Sequence, residues 1–351
     1  MSLRWMGGVR WVRHALYLLL LAALASAGFV AFLIQSGAVE RWARKSLIRQ
    51  VELRTGTHVE LNGFHLHLWR LRVELDGLTL HGLESSDVAP LFYAKRVDAE
   101  IRIVSFLQKK IALEEFVVEE PEVAVRIDKD GRSNVPQPKI PSGSRPWRET
   151  LFDLQIARLE LRNGSAFLNN RRVPLALLGR NFQFQLHYDD ADGGAYAGSV
   201  SWEQGELASW HDAPFRFDLV TKFTLHRDAF EIDQLICKLP HSELDVRAEL
   251  THFAQPQWNF QYRGRLSLDD LRTIARQPEV PSGIADFSGQ GEYAAGEWKA
   301  SGHYAGREVQ MRDTWFHAAK MESWGDYEIA NGLLVVPNLG IRALGGSGEG
   351  R

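Results

Sequence analysis

Two histidines separated by one residue, His65 and His67, are the first residues in this chain whose spacing could support chemistry. On a β-strand both imidazoles would point to the same face, where they could bind one zinc ion. Zinc needs at least three protein ligands, and no third ligand can be placed beside this pair from the sequence. We therefore favour a solvated polar face for the two histidines over a metal site.

Other combinations of reactive residues give weaker evidence for an active site. The adjacent acids at positions 114–115 and 269–270 would point apart on a strand and at different angles on a helix, so neither pair forms a general acid and base. The Gly-Gln-Gly at 289–291 is a fragment of a dinucleotide fingerprint and does not precede a helix. The sequence contains no Gly-x-Ser-x-Gly elbow, P-loop or His-Glu-x-x-His motif. We expect no catalytic residue and no cofactor, and an enzyme with an unrecognised site is only the third functional hypothesis.

Composition narrows the classes of protein further. The chain has 351 residues, enough for one large or two medium domains, and a net charge of −3 from 41 basic and 44 acidic residues. Basic residues are interleaved with acids and form no long block, so we expect no nucleic-acid partner. The single cysteine, Cys237, excludes an internal disulfide framework, and its apolar neighbours predict a buried, inert thiol.

Residues 15–34 carry no charge and predict a transmembrane helix, because about 20 apolar residues span the hydrocarbon core of a bilayer. A short basic tail, residues 1–14, precedes them. A cleaved signal peptide is the alternative, with a cleavage site at 25–27, but the apolar run continues past that site to Ile34. The residues expected at the membrane interface are Trp11, Arg13, Trp42, Arg44 and Lys45.

Residues 35–55 predict an amphipathic helix directly after the membrane segment. Its apolar stripe has helical spacing, and most of its basic residues lie off that stripe. Two positions are open for it: the headgroup region of the bilayer, or packing on the first strands of the following domain. The stripe consists of Val39, Trp42, Ala43, Leu47 and Val51.

Residues 56–128 alternate apolar and polar side chains with a period of two, which predicts β-strands with one apolar and one polar face. We expect about six short strands here, three of them between Ala94 and Asn134, with Gly63 and Gly77 at turns or bulges. The apolar positions include Leu66, Leu68, Val73, Leu75, Val97, Ile101, Ile103, Val123, Val125 and Ile127.

Residues 129–149 contain four prolines and predict an exposed loop or linker. A second β region, residues 150–351, repeats the alternation and starts with a strand through Phe152, Leu154 and Ile156. It includes a short helix at 267–276, with Ser267 as N-cap. The predicted fold class is mainly β: a transmembrane helix followed by an elongated antiparallel sheet rather than one closed core.

Several short motifs carry a resemblance to a known family. They follow the N-terminal apolar segment in this order: Gly56-Thr57-x-Val59-x-Leu61, Gly77-Leu78-x-Leu80, Ala94-x-x-Val97, Ser105-Phe106-Leu107 with Lys110-Ile111, Glu120-Pro121, Asp130-Gly131 with Asn134, the helix at Leu268 to Ala275, and Ala343-Leu344-Gly345-Gly346. With these motifs, most of the chain resembles the AsmA-like and TamB-like envelope proteins.

This resemblance implies an inner-membrane anchor, a periplasmic body and a curved β-sheet that forms a hydrophobic groove. Such a groove, lined by the ten apolar positions given above for residues 56–128, would hold lipid acyl chains. The implied function is phospholipid transport to the outer membrane, or assembly and protein secretion there with a TamA-like barrel protein as partner. TamB-like proteins are usually longer, and this chain stops inside a strand motif, so we expect it to be the N-terminal part of a longer protein.

What covers the apolar face decides between two functions. If the face is open to acyl chains, the protein is a lipid-conducting or envelope-assembly protein anchored in the membrane. If a second sheet seals the face, the protein is a membrane-anchored structural or protein-binding scaffold with a sandwich core.

Overall fold

The computed structural model describes residues 37–101, 113–139, 147–170, 175–191, 194–208, 215–275, 281–294, 296–312, 317–330, 333–343 and 346–350. The predicted tail and transmembrane helix, with Trp11 and Arg13, lie outside these residues, and so does Ile103. Among the helices of the described residues, none is long and apolar enough to cross a membrane. The transmembrane helix at 15–34 therefore stays a prediction.

Within the described residues, sixteen β-strands form one long, curved, open sheet in which the strands follow one another in chain order. Neighbouring strands are antiparallel, except that β4 and β5 are parallel. This arrangement confirms the prediction of a mainly β protein with an elongated sheet. The strands are β1 (His58–His67), β2 (Arg72–His81), β3 (Phe92–Ile101), β4 (Leu113–Ile127), β5 (Arg158–Asn170), β6 (Leu175–Asp189), β7 (Ala195–Ala208), β8 (Phe215–Leu225), β9 (Ala229–Lys238), β10 (Glu243–Thr251), β11 (Gln257–Ser267), β12 (Ser282–Ala294), β13 (Glu297–Arg312), β14 (His317–Ala330), β15 (Leu333–Ala343) and β16 (Gly346–Gly350).

Three helices accompany the described part of the sheet: α1 (Ala38–Thr55), α2 (Trp147–Leu154) and α3 (Leu268–Ala275). Helix α1 occupies most of the predicted helix 35–55. Helix α3 occupies the predicted helix 267–276, and the Ser267 hydroxyl accepts a hydrogen bond from the Asp269 N–H at 3.3 Å, as expected of an N-cap. Helix α2 lies where the sequence predicts the end of the linker and the first strand of the second β region, so that prediction is wrong.

The first β region has four described strands rather than about six. Glu120 and Pro121, which separate two of the three strands predicted between Ala94 and Asn134, lie inside the continuous strand β4. Gly63 and Gly77 likewise lie inside β1 and β2. The backbone at Glu120 has φ 49° and that at Gly77 has φ 59°. At Gly77 and Glu120 the positive φ interrupts the pairing without ending the strand, and the register is the same on either side of each residue.

The interruptions lie side by side across six strands, β2 to β7, and form what we call the bulge row. It consists of Gly77, Lys95, Glu120, Asn163, Asn181 and Gln204, one residue on each strand from β2 to β7. Five of the six have φ between 49° and 59°. The alternation of side chains changes phase there: Ala94 and Val97, three residues apart, belong to the same buried cluster. The Lys95 Nζ atom and the Glu120 Oε1 atom form an ion pair at 2.6 Å within the row.

Candidate functional site

One face of the sheet carries a nearly continuous row of apolar side chains, which we call the apolar face. Residues that pair directly across two strands lie on the same face, so the register defines its members. Leu75 on β2 pairs with Phe64 on one side and with Val97 on the other. The row continues from Val97 through Val118, Leu161, Phe184 and Val200.

The register brings eight of the ten predicted groove residues together on this face. Leu66 pairs with Val73, and Ile101 pairs with Leu113. Leu68 lies in the turn after β1, and Ile103 lies outside the described residues. The eight residues are Leu66, Val73, Leu75, Val97, Ile101, Val123, Val125 and Ile127.

Helix α1 covers the first part of the apolar face. Its Leu47 and Ile48 pack against a buried cluster that includes Leu75 and Val97, which are 8% and 5% exposed. These two residues therefore contact protein and do not line an open groove. Val123, by contrast, is 38% exposed. Of the two positions open for the helix, the described structure shows packing on the first strands.

Polar contacts hold α1 on β1. The Arg44 guanidinium donates a hydrogen bond to the Leu61 carbonyl at 2.7 Å, and the Glu40 carboxylate accepts one from the Leu66 N–H at 3.2 Å. Arg44, which is predicted at the membrane interface, is thus hydrogen-bonded to the backbone of β1. Trp42 does not take part in the packing, because it lies on the outer side of the helix and is 70% exposed.

Helix α2 covers a second part of the apolar face, on β6 to β9. Phe152 is 1% exposed and lies in a buried cluster with Leu186, Tyr196, Phe223 and Leu225. The Tyr196 hydroxyl donates to the Leu151 carbonyl at 2.9 Å and accepts from the Ile156 N–H at 2.9 Å. Burial raises the pKa of Tyr196 to about 12, so this hydroxyl stays neutral and keeps both hydrogen bonds at ordinary pH.

From β10 to β14 the apolar face has a different environment, and we call this part the open segment. Among its described apolar residues only Leu250 and Ala318 are fully buried, and neither buried cluster extends into it. At about 4.8 Å between strands, its five strands extend over about 20 Å. Its half-buried side chains include Leu244, Val246, Ala248, Trp258, Phe260, Tyr262, Phe287, Tyr293, Ala300 and Tyr304.

Helix α3 lies beside the ends of these strands. The Ser242 hydroxyl, in the turn between β9 and β10, donates to Asp270 at 2.6 Å and accepts from the Ser267 N–H at 2.9 Å. The His241 N–H also donates to Asp270, at 3.0 Å. Burial alone would raise the pKa of Asp270, but these hydrogen bonds outweigh it and lower the pKa. The sequence explains Asp270 only as a capping acid; its link to the next turn depends on tertiary packing.

Aromatic rings and glycines complement each other in the open segment. Phe260 lies across Gly291, and Tyr262 lies across Gly289, so a Cβ atom at either glycine would collide with the ring. The Tyr327 hydroxyl donates to the Tyr262 hydroxyl at 2.8 Å. These contacts let the rings pack within the sheet itself. The Gly-Gln-Gly that could suggest a nucleotide motif thus provides room for two aromatic rings.

The opposite face of the same strands is polar. Among the shallow cavities on the described part of this face, those of about 930 and 940 Å³ are lined mainly by charged and amide side chains such as Arg247, Gln261 and Gln290. Many of these side chains pair across strands, as do Arg263 and Asp245 at 2.7 Å and His303 and Asp326 at 3.1 Å. Such exposed pairs are ordinary features of a solvated sheet face.

The residues singled out for chemistry are not brought together. His65 and His67 are exposed, and each faces a carboxylate of β2, at 3.4 Å from Asp76 and 3.3 Å from Glu74. No group of three or more potential metal ligands occurs within the part of the chain that the structure describes. Cys237 is half-buried on the apolar face, where burial raises the pKa of its thiol.

Comparison with known proteins adds no family assignment: no protein-family model matches this sequence, and a search of the curated proteins finds no match either. The side chains of the open segment nevertheless indicate which kind of group could bind there. The open segment offers adjacent aliphatic and aromatic side chains on one side of a sheet, and such a surface can take up apolar groups without a specific polar contact.

Proposed function

We propose that this protein is a membrane-anchored envelope protein of the AsmA/TamB type that holds lipid acyl chains on its apolar face. In this proposal, residues 15–34 anchor the chain in the inner membrane and the sheet lies in the periplasm. The acyl chains are held for phospholipid transport to the outer membrane, or for assembly and protein secretion there with a TamA-like partner. The observation that carries the proposal is the open segment.

The energetics of the open segment support this proposal. Each methylene group that moves from water to an apolar surface contributes about 0.8 kcal/mol, so even partial contact along one acyl chain amounts to several kcal/mol. The interaction has no directional requirement, which suits a ligand that must also be released. The headgroup can remain in water beside the sheet, so the site needs no polar pocket.

A protein-binding scaffold is the second candidate, and one observation favours it. Helices α1 and α2 already cover two parts of the apolar face with protein side chains, Ile48 and Phe152 among them. An amphipathic helix of a partner protein could cover the open segment in the same way.

Lipid mass spectrometry on the purified full chain tests the proposal. We expect phospholipid to co-purify with the wild-type protein, and Phe260→Glu to remove most of it. Gln261→Glu is the matched control, because it adds the same charge on the adjacent residue of β11, on the opposite face. Thermal unfolding of both variants would show that they fold.

The outcomes separate the two candidates. Wild-type protein free of lipid would contradict the lipid-holding function. A folded Phe260→Glu variant that keeps its lipid would show that the open segment is not the site. A co-purifying protein that is lost only with Phe260→Glu would instead support the scaffold.

A further inference from the structure

The turn between β1 and β2 presents a tryptophan to solvent. Trp69 is 92% exposed. The turn itself is ordered by hydrogen bonds from the Arg70 N–H to the His67 carbonyl at 3.1 Å and from the Leu71 N–H to the Leu68 carbonyl at 3.4 Å. The ordered turn thus holds a large aromatic side chain in solvent, where it contributes little to the packing of the fold.

The beginning of α1 lies at the same end of the first strands as this turn. The contacts of Glu40 with Leu66 and of Arg44 with Leu61 show that α1 runs antiparallel to β1. Its first turn therefore lies beside the end of β1, close to the turn that carries Trp69. Residues 1–36, with the uncharged stretch 15–34, join the described structure here through Gly37.

The outer side of α1 is positively charged. Arg41, Lys45 and Arg49 are exposed there beside Trp42. The acids of the helix are turned toward the sheet: Glu40 accepts from the Leu66 N–H, and Glu52 accepts from the Val59 N–H at 3.2 Å. Exposed tryptophans beside basic residues are the composition of a protein surface that contacts the headgroups of a bilayer with anionic lipid.

We propose that Trp69 and Arg70 form, together with the outer side of α1, a second contact between the sheet and the surface of a bilayer that contains anionic lipid. This inference rests on the proposed membrane anchoring by residues 15–34. A single membrane helix would leave the sheet free to rotate about it, whereas two contacts fix the orientation of the first strands. They place the end of β1 and the start of β2 at the headgroups, and the sheet continues from these two strands through β3 to β16.

A fluorescent probe at the turn tests this orientation in the full chain. Cys237→Ser removes the native thiol, and a single new cysteine is introduced as Arg70→Cys or, in the loop at the other end of the first strands, as Ser85→Cys. Each variant is labelled with an environment-sensitive fluorophore and reconstituted in phosphatidylcholine–phosphatidylglycerol vesicles that contain a lipid-borne quencher. We expect severalfold stronger quenching at position 70 than at position 85, and weaker quenching at position 70 when Trp69→Ser is added.

Three results would overturn the inference in different ways. Protein that floats with the vesicles but shows equal quenching at both positions, or none at position 70, is anchored without the second contact. Quenching at position 70 that Trp69→Ser leaves unchanged excludes Trp69 from the contact. Protein that does not float with the vesicles contradicts the membrane anchor itself, and lipid co-purification still tests the open segment separately.

Discussion

The first four strands and the open segment share one face of one sheet, but they stabilise it differently. Under α1, the cluster consists of aliphatic side chains such as Leu61 and Val118, and the helix excludes water from them. In the open segment, aromatic rings lie across glycines of the next strand, as Phe260 does across Gly291. Strands in both parts alternate apolar and polar residues. The element that covers an apolar strand face therefore decides whether that face becomes a closed core.

The aromatic rings also explain how the open segment can persist without a described cover. A ring that lies across a neighbouring glycine buries part of its own surface against the sheet. An aliphatic side chain such as Val97 stands upright on the sheet and needs a second layer to exclude water. Such contacts reduce the apolar area that the sheet exposes to water, and they also occur under α2, where Phe223 lies across Gly198.

The largest test of the comparison contrasts two phenylalanines. We expect Phe152→Ala to lower the free energy of unfolding by about 3–5 kcal/mol, since it removes a buried ring that joins α2 to the sheet. Phe260→Ala should cost no more than about half as much, because that ring is half-exposed. Chemical denaturation followed by circular dichroism measures both. Equal losses would show that the open segment is a packed core.

A finer contrast lies within the predicted groove residues. Val97→Ala and Val123→Ala remove the same atoms, but Val97 is 5% exposed and Val123 is 38% exposed. We expect a loss of about 2 kcal/mol at Val97 and less than about 1 kcal/mol at Val123. The same denaturation experiment applies. A similar loss at both positions would mean that Val123 is covered as well.

The smallest expected effect concerns the link that holds α3 beside the open segment. The lowered pKa of Asp270 means that its carboxylate stabilises the fold above the carboxyl pKa of the unfolded chain, about 4, and that this contribution is lost as pH falls through the lowered pKa. Asp270→Asn keeps one acceptor oxygen and should therefore cost only about 0.5–1.5 kcal/mol at neutral pH, and progressively less in acid. Unfolding measured across this pH range checks it. A loss independent of pH would contradict the role of the charge.

The sequence predicts the faces of the strands well, because the period of two is a local property. Alternation alone predicts that Leu66 and Val73, or Leu75 and Val97, lie on one face, and the register pairs them. The extent of each strand was harder to predict. An interruption inside a strand and a turn use the same residue types, so Gly77 or Glu120 with Pro121 does not reveal which of the two it forms.

What covers each part of the sheet could not be predicted from alternation. Phe152, Leu154 and Ile156 have the spacing of a strand, but Leu151 and Leu154 are also three residues apart, as on one face of a helix. Both patterns are present in the sequence, and packing on Tyr196 decides between them. The partnership of Phe260 with Gly291 depends on the register of β11 and β12, which no single segment encodes.

The bulge row has a consequence for the inheritance of this fold. Each residue of the row shifts the alternation of apolar and polar side chains by one position. Inserting or deleting a single residue in a strand would therefore move every later side chain of that strand to the opposite face. Deleting Glu120 would turn the second half of β4 over and expose Val125 on the charged side, although no apolar residue had changed. Gain or loss of one residue is therefore tolerated in the loops but not inside the strands. In a mutational scan, the positions that require apolar residues should switch between odd and even numbers where each strand crosses the row.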